Sequence, residues 1–160
     1  AVNPMGKVPA ILHDGALVTE QAAVFMYLAD LYAGAGLAPP IGDPLRGPYL
    51  RWMAFYGSCF EPALMDRAQK HAPASPSSSP YSDYDTMLKT LTDQLAKGPD
   101  LLGERFSAAD VLWGTALGWT VKFGLVPELP VIKTYMDRVN ARPAVLRARA
   151  RDAELAKTWG

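Results

Sequence analysis

The chain has one cysteine, Cys59, in 160 residues and two histidines, His13 and His71, set far apart. A single cysteine rules out an internal disulfide and fits a reducing compartment. Neither histidine has ligand spacing with Cys59 or with a carboxylate pair, so no metal site is expected. Charge of either sign is not in excess: 16 basic residues balance 16 acidic ones. With no basic stripe, a nucleic-acid partner is not expected. No apolar run reaches the roughly 18–20 residues a membrane helix needs, and no signal-peptide pattern is present, so a cytoplasmic protein is the default. G-x-G-x-x-G, the phosphate-binding P-loop and the Gly-x-Ser-x-Gly nucleophile elbow are all missing.

What is there begins with Gly6-Lys7-Val8-Pro9-Ala10-Ile11-Leu12-His13-Asp14-Gly15-Ala16-Leu17-Val18-Thr19-Glu20-Gln21. Val8 to Leu12 is a short apolar run, Asp14-Gly15 is a hairpin signal, and Ala16 to Val18 is the return strand. Pro9 falls at a strand start, where no ladder donor is needed. Thr19 is the expected cap of a helix from Glu20 to about Ala33, with Val24, Tyr27, Leu28 and Leu31 as its apolar stripe. Gly34, Gly36 and Pro39-Pro40 end that helix, and 34–43 reads as a linker.

After the linker the periodicity is helical throughout. Asp43 is an N-cap candidate with Pro44 at the first helical position. The helix to about Gln69 carries Tyr49, Trp52, Phe55, Tyr56 and Phe60, with bends expected at Gly47-Pro48 and Pro62. Most of these rings read as core, Cys59 as a quiet buried thiol, and Tyr56 as a candidate to face a cleft. Residues 72–80 read as a mobile loop by composition. Tyr84, Met87, Leu88, Leu91 and Leu95 form an amphipathic stripe closed by Gly98-Pro99. Ser107 and Asp110 are spaced as a capping box and Phe106 and Val111 as a hydrophobic staple, opening an uncharged run from Val111 to Val121. That run reads as a buried central helix, with Trp113 and Trp119 as core rings. Val131, Ile132, Tyr135, Met136 and Val139 mark a further helix. The last helix, starting at Pro143, shows Arg147, Arg149 and Arg151 among Asp152 and Glu154 and reads as a solvated face.

The first stretch and the capping box together resemble the glutathione transferases. The family pattern runs Gly-Lys-Val-Pro, strand, Asp-Gly, strand, Thr-Glu-Ser, and here Gln21 stands in the last place. The fold implied is α+β: the C-terminal ββα part of a thioredoxin-like domain over residues 1–36, then an all-α domain of glutathione-transferase type over 37–160. The resemblance places a strand-helix-strand unit of roughly 45–55 residues ahead of Ala1. In the family the Ser, Tyr or Cys that activates the thiolate lies in that unit, so no catalytic residue is named here. By the same resemblance the main chain of Val8, before a cis Pro9, pairs with the cysteinyl part of glutathione. Glu20 and Gln21 hold its γ-glutamyl end, a carboxylate meeting the ammonium and helix N–H groups meeting the carboxylate. Lys7 either meets the glycyl carboxylate or is simply solvated. Met53, Tyr56 and Trp113 are the candidates for a second-substrate pocket, which in the family takes an apolar electrophile. The implied activity is detoxifying conjugation of the thiolate by a homodimer; the other reading is a binding or structural module of the same fold without turnover.

Overall fold

The computed structural model describes residues 2–71 and 74–158. It opens with an antiparallel hairpin of β1 (Ile11–His13) and β2 (Ala16–Val18), in the register Ile11↔Val18, Leu12↔Leu17, His13↔Ala16. Asp14 and Gly15 form the two-residue turn with φ of 49° and 83°. Two consecutive positive φ values match the right-handed twist of the strands, which is why Asp-Gly is favoured there. The first strand starts at Ile11 rather than Val8, since Pro9 carries no N–H to continue the ladder.

Helix α1 (Gln21–Leu31) is shorter at both ends than expected and is followed by a 3₁₀ turn, Ala33–Ala35, closed by Gly36 at φ 68°. Its inward face also differs. Ala22, Phe25, Met26 and Ala29 turn to the main core; of the expected stripe Val24 is buried and Tyr27 half-buried, while Leu28 and Leu31 are exposed. The helix is apolar on almost every side, so two stripes at helical spacing compete, and packing against α2 and α5 selects the one with the smaller residues.

Asp43 does not cap a helix directly. Its Oδ1 accepts from the Leu45 N–H at 2.8 Å, and its Oδ2 accepts from Arg105 at 2.6 Å. Pro44 thus sits in a turn, and α2 runs over Arg46–Phe55. Gly47-Pro48 falls in the first helical turn, where a missing N–H costs nothing, and no bend is required. Pro62 acts differently. Its ring excludes the carbonyl four residues back, and the chain opens into a π turn over Tyr56–Phe60, with the Glu61 N–H donating to the Tyr56 carbonyl. Helix α3 (Glu61–Gln69) follows. Cys59, in the π turn, is only partly buried; its Sγ lies 3.6 Å from the Pro80 carbonyl oxygen.

Helix α4 (Tyr84–Leu95) is capped by Asp83, whose Oδ1 accepts from the Thr86 N–H at 2.8 Å, and buries Met87, Leu88, Leu91 and Leu95. Helix α5 (Ala108–Lys122) is central, packing against α1, α2 and α6 (Pro130–Asn140). Its Trp113 stands edge-on to Trp52, Tyr56 and Phe60, with the indole N–H donating to the Trp52 carbonyl at 3.0 Å. Ser107 and Asp110 form the expected capping box. Trp119 is not a core ring. It is 56% exposed and stacked on the equally exposed Phe123 at 5.7 Å. The ring pairs instead with its own i+4 neighbour. Helix α7 (Pro143–Thr158) has no buried residue, consistent with a solvated arginine face.

Of the segment read as a mobile loop, Ala72 and Pro73 lie outside the described residues. From Ser75 the chain forms a turn, with the Ser78 and Ser79 N–H groups donating to the Ser75 carbonyl. Among the described residues no helix is long and apolar enough to cross a membrane.

Candidate functional site

The hairpin and α1 bring the first stretch together. Val8 and Pro9 lie just ahead of β1 and Glu20 and Gln21 just after β2, so all four fall at the open end of the antiparallel hairpin. Val8 is 91% exposed and joined to Pro9 by a cis bond. No hydrogen bond among the described residues uses its main-chain N–H or C=O. The turn before it is tied down: Asn3, buried, donates through its amide to the Lys7 carbonyl at 2.8 Å and accepts from the Met5 N–H at 2.9 Å. The Lys7 side chain is exposed and forms no ion pair among the described residues.

Thr19 does not cap α1. Its hydroxyl donates to Glu20 Oε1 at 3.2 Å, and Glu20 itself is the N-cap residue, with φ 65° and ψ 118° and no side-chain bond to the helix N–H groups. A non-glycine residue in this region costs about 1–3 kcal/mol. The cost places an exposed carboxylate at the positive end of a helix while leaving the first N–H groups of α1 uncapped by side chains. The arrangement offers an acceptor for a cation beside donors for an anion.

Gln21 is the next residue and the first of α1. Its Oε1 lies 3.1 Å from the hydroxyl oxygen of Tyr56, and the same hydroxyl lies 3.0 Å from Glu61 Oε1. Tyr56 is 7% exposed, while Glu61 is exposed at the start of α3. Burial first, then the Glu61 charge, pushes the Tyr56 phenol well above its ordinary range, so it remains a protonated donor. Tyr56 is thereby brought to Gln21. Met53 and Trp113 are not brought to an open surface: both are 0% exposed in the core, Trp113 standing edge-on to Tyr56. A groove of about 800 Å³ opens between α5, α6 and α7, lined by Phe106, Val111, Trp119 and Arg142 among others, and none of the expected site residues lines it. Sequence reasoning missed Glu61. Its signal was the Tyr56–Glu61 spacing ahead of Pro62, which a plain α-helix would not align but a π turn does.

Comparison with known proteins identifies the fold. Residues 81–138 match the family model described as glutathione S-transferase, C-terminal domain. Glutathione S-transferase GstA of Escherichia coli O157:H7 is 29% identical over 147 residues, covering 91% of this chain and 73% of that protein. The crystal structure of a glutathione transferase from Methylococcus capsulatus str. Bath is 34% identical, with a TM-score of 0.78 over 95% of this chain and 76% of that one. A sphingomonad glutathione S-transferase complexed with glutathione is 33% identical, with a TM-score of 0.75, covering 95% of this chain and 77% of that one. With this extent of identity, coverage and structural overlap, the chain belongs to the glutathione S-transferase family.

Proposed function

We propose that this protein binds glutathione along Val8 and at the start of α1, and conjugates its thiolate to an electrophilic, largely apolar small molecule. The observation that carries the reading is Glu20: an acid held at φ 65° at a helix N-terminus whose carboxylate caps nothing in its own helix. A side chain placed at such cost and left free of its own helix is disposed to bind. Glutathione presents the matching groups. Its γ-glutamyl ammonium meets Glu20, and its α-carboxylate meets the N–H groups of α1 and their dipole. Its cysteinyl amide lies against the unengaged N–H and C=O of Val8, as an added strand does. Lys7 is the basic group on the same approach, suited to the glycyl carboxylate. Tyr56 borders the site, with Trp113 packed against it from the core.

The chemistry asked of the protein is to hold the thiol as thiolate, by a hydrogen bond that favours the charged form, and to bring an electrophilic carbon onto the sulfur. The reading includes a homodimer in the cytoplasm. Its test is retention on immobilised glutathione followed by a conjugation assay with a generic aryl halide. Retention is expected from wild type and lost in Glu20→Ala, and turnover is expected with the thiolate-activating residue in place. Retention that survives Glu20→Ala refutes the mapped site. Retention without conjugation identifies a glutathione-binding module instead of an enzyme.

A further inference from the structure

The Tyr56 hydroxyl has one hydrogen and two oxygen neighbours, Gln21 Oε1 at 3.1 Å and Glu61 Oε1 at 3.0 Å. It cannot donate fully to both. A carboxylate is the stronger acceptor, since hydrogen bonds to an ionised oxygen are roughly twice as strong as neutral ones. The hydroxyl hydrogen therefore belongs to Glu61. The Tyr56 oxygen is then an acceptor toward Gln21, and a hydroxyl oxygen facing an amide oxygen with no hydrogen between them is unfavourable. The two ends of a glutamine amide have the same shape and exchange by a half-turn. Turned over, the Gln21 NH₂ donates to Tyr56, and Tyr56 donates to Glu61, which satisfies all three groups.

We propose that Tyr56 and Glu61 are positioning residues that orient Gln21 so that its carbonyl oxygen, not its NH₂, faces the ligand at the N-terminus of α1. The site then offers two acceptors side by side, the Glu20 carboxylate and the Gln21 carbonyl. Such a pair selects a ligand carrying a cationic amino group. It discriminates against one whose α-position has lost the amine, because the carbonyl would be left facing no donor. This rests on the glutathione reading above and adds to it: the γ-glutamyl ammonium is held from two sides, one set by the hairpin and the other by the helical region through Tyr56. The orientation reaches Gln21 from 35 residues away in sequence, so Glu61, although exposed, governs a selectivity it does not touch.

The test is isothermal titration of the full chain with glutathione and with its deaminated analogue, in which hydrogen replaces the α-amino group. Wild type is expected to prefer glutathione by tenfold or more. In Glu61→Ala the Tyr56 hydrogen returns to the Gln21 oxygen, the NH₂ turns outward, and the preference is expected to fall about fivefold through weaker glutathione binding and unchanged or tighter analogue binding. Tyr56→Phe frees Gln21 and is expected to lose a similar factor, with the double variant losing no more than either single one, as for groups acting through one residue. Unfolding that merely loosened the site would weaken both ligands alike, and this outcome overturns the proposal. So does an unchanged preference in both variants, or additive losses in the double variant. Wild type that binds neither ligand is a distinct result: it removes the glutathione reading itself, and the selectivity role with it.

Discussion

Asp110 is fully buried and accepts four hydrogen bonds, which makes Asp110→Ala the most informative perturbation of the fold. Its Oδ1 accepts from the Leu101 N–H at 2.8 Å and the Tyr135 hydroxyl at 3.0 Å; its Oδ2 accepts from the Ser107 N–H at 2.8 Å and the Ser107 hydroxyl at 3.0 Å. Leu101, Ser107 and Tyr135 are themselves buried, so water cannot replace the lost partner. Each orphaned donor costs about 1–3 kcal/mol, while removing a buried charge returns part of that. The expected net loss is about 3–4 kcal/mol, a large share of the roughly 5–15 kcal/mol that holds a domain folded. Asn in place of Asp is expected to be nearly as damaging, because its NH₂ must face two N–H or O–H donors. The sign of the pH dependence follows from burial, which holds the Asp110 carboxyl above its ordinary range against the pull of its four donors. The native state then takes up the proton before the unfolded chain does. Its contribution is full below the ordinary value of about 3.9 and declines as the pH rises through the raised value. The stability gap between wild type and Asp110→Asn should therefore widen as the pH is lowered from neutral toward 4. Urea unfolding followed by circular dichroism across that range measures both quantities. A loss below about 1 kcal/mol for Asp110→Ala at pH 7 would show that the four bonds do not carry the load assigned to them.

Three further outcomes are expected. A Cβ on Gly114 would stand 2.5 Å from Val139 Cγ1 and 2.9 Å from its Cβ, so Gly114→Ala should cost about 1–3 kcal/mol by overpacking the α5–α6 crossing; partial recovery in Gly114→Ala/Val139→Ala would locate the clash, and thermal unfolding measures it. The Tyr49 hydroxyl is buried without a hydrogen-bond partner among the described residues, and burial pushes its phenol up to about 12; Tyr49→Phe should raise stability by about 1 kcal/mol, and a loss of that size in urea would refute the assignment. Asp43 is held below the usual carboxylate range, first by the Leu45 N–H and then by Arg105. Its contribution is present above about pH 4 and disappears as the pH falls through the lowered value. Wild type and Asp43→Asn should accordingly differ in melting temperature at pH 7 and converge in acid.

The features legible in the amino-acid order are those whose cause is local. Asp14-Gly15 must turn the chain because two adjacent positive φ values suit them. Ser107 and Asp110 must start α5 because the acid three residues on reaches back to the first free N–H. The stripes of α4 and α6 name their buried faces because charged residues occupy the others. The proposed site draws on the same kind of local signal, since Val8, Glu20 and Gln21 lie on one continuous hairpin-to-helix segment. Elsewhere the sequence carried more than one solution. Helix α1 offers two apolar faces, and only contact with α2 and α5 decides that Ala29 goes in and Leu31 stays out. Trp119 has the composition of a core residue and the position of a surface one. Tyr56 reaches Gln21 across a gap of 35 residues only once the helices have packed, and a π turn ahead of Pro62 sets Glu61 against the same hydroxyl. Hydrogen bonds and turns within a few residues are set by the chain's own stereochemistry; which face is buried, and which distant side chain completes a site, depends on volumes and partners that exist only once the helices have packed.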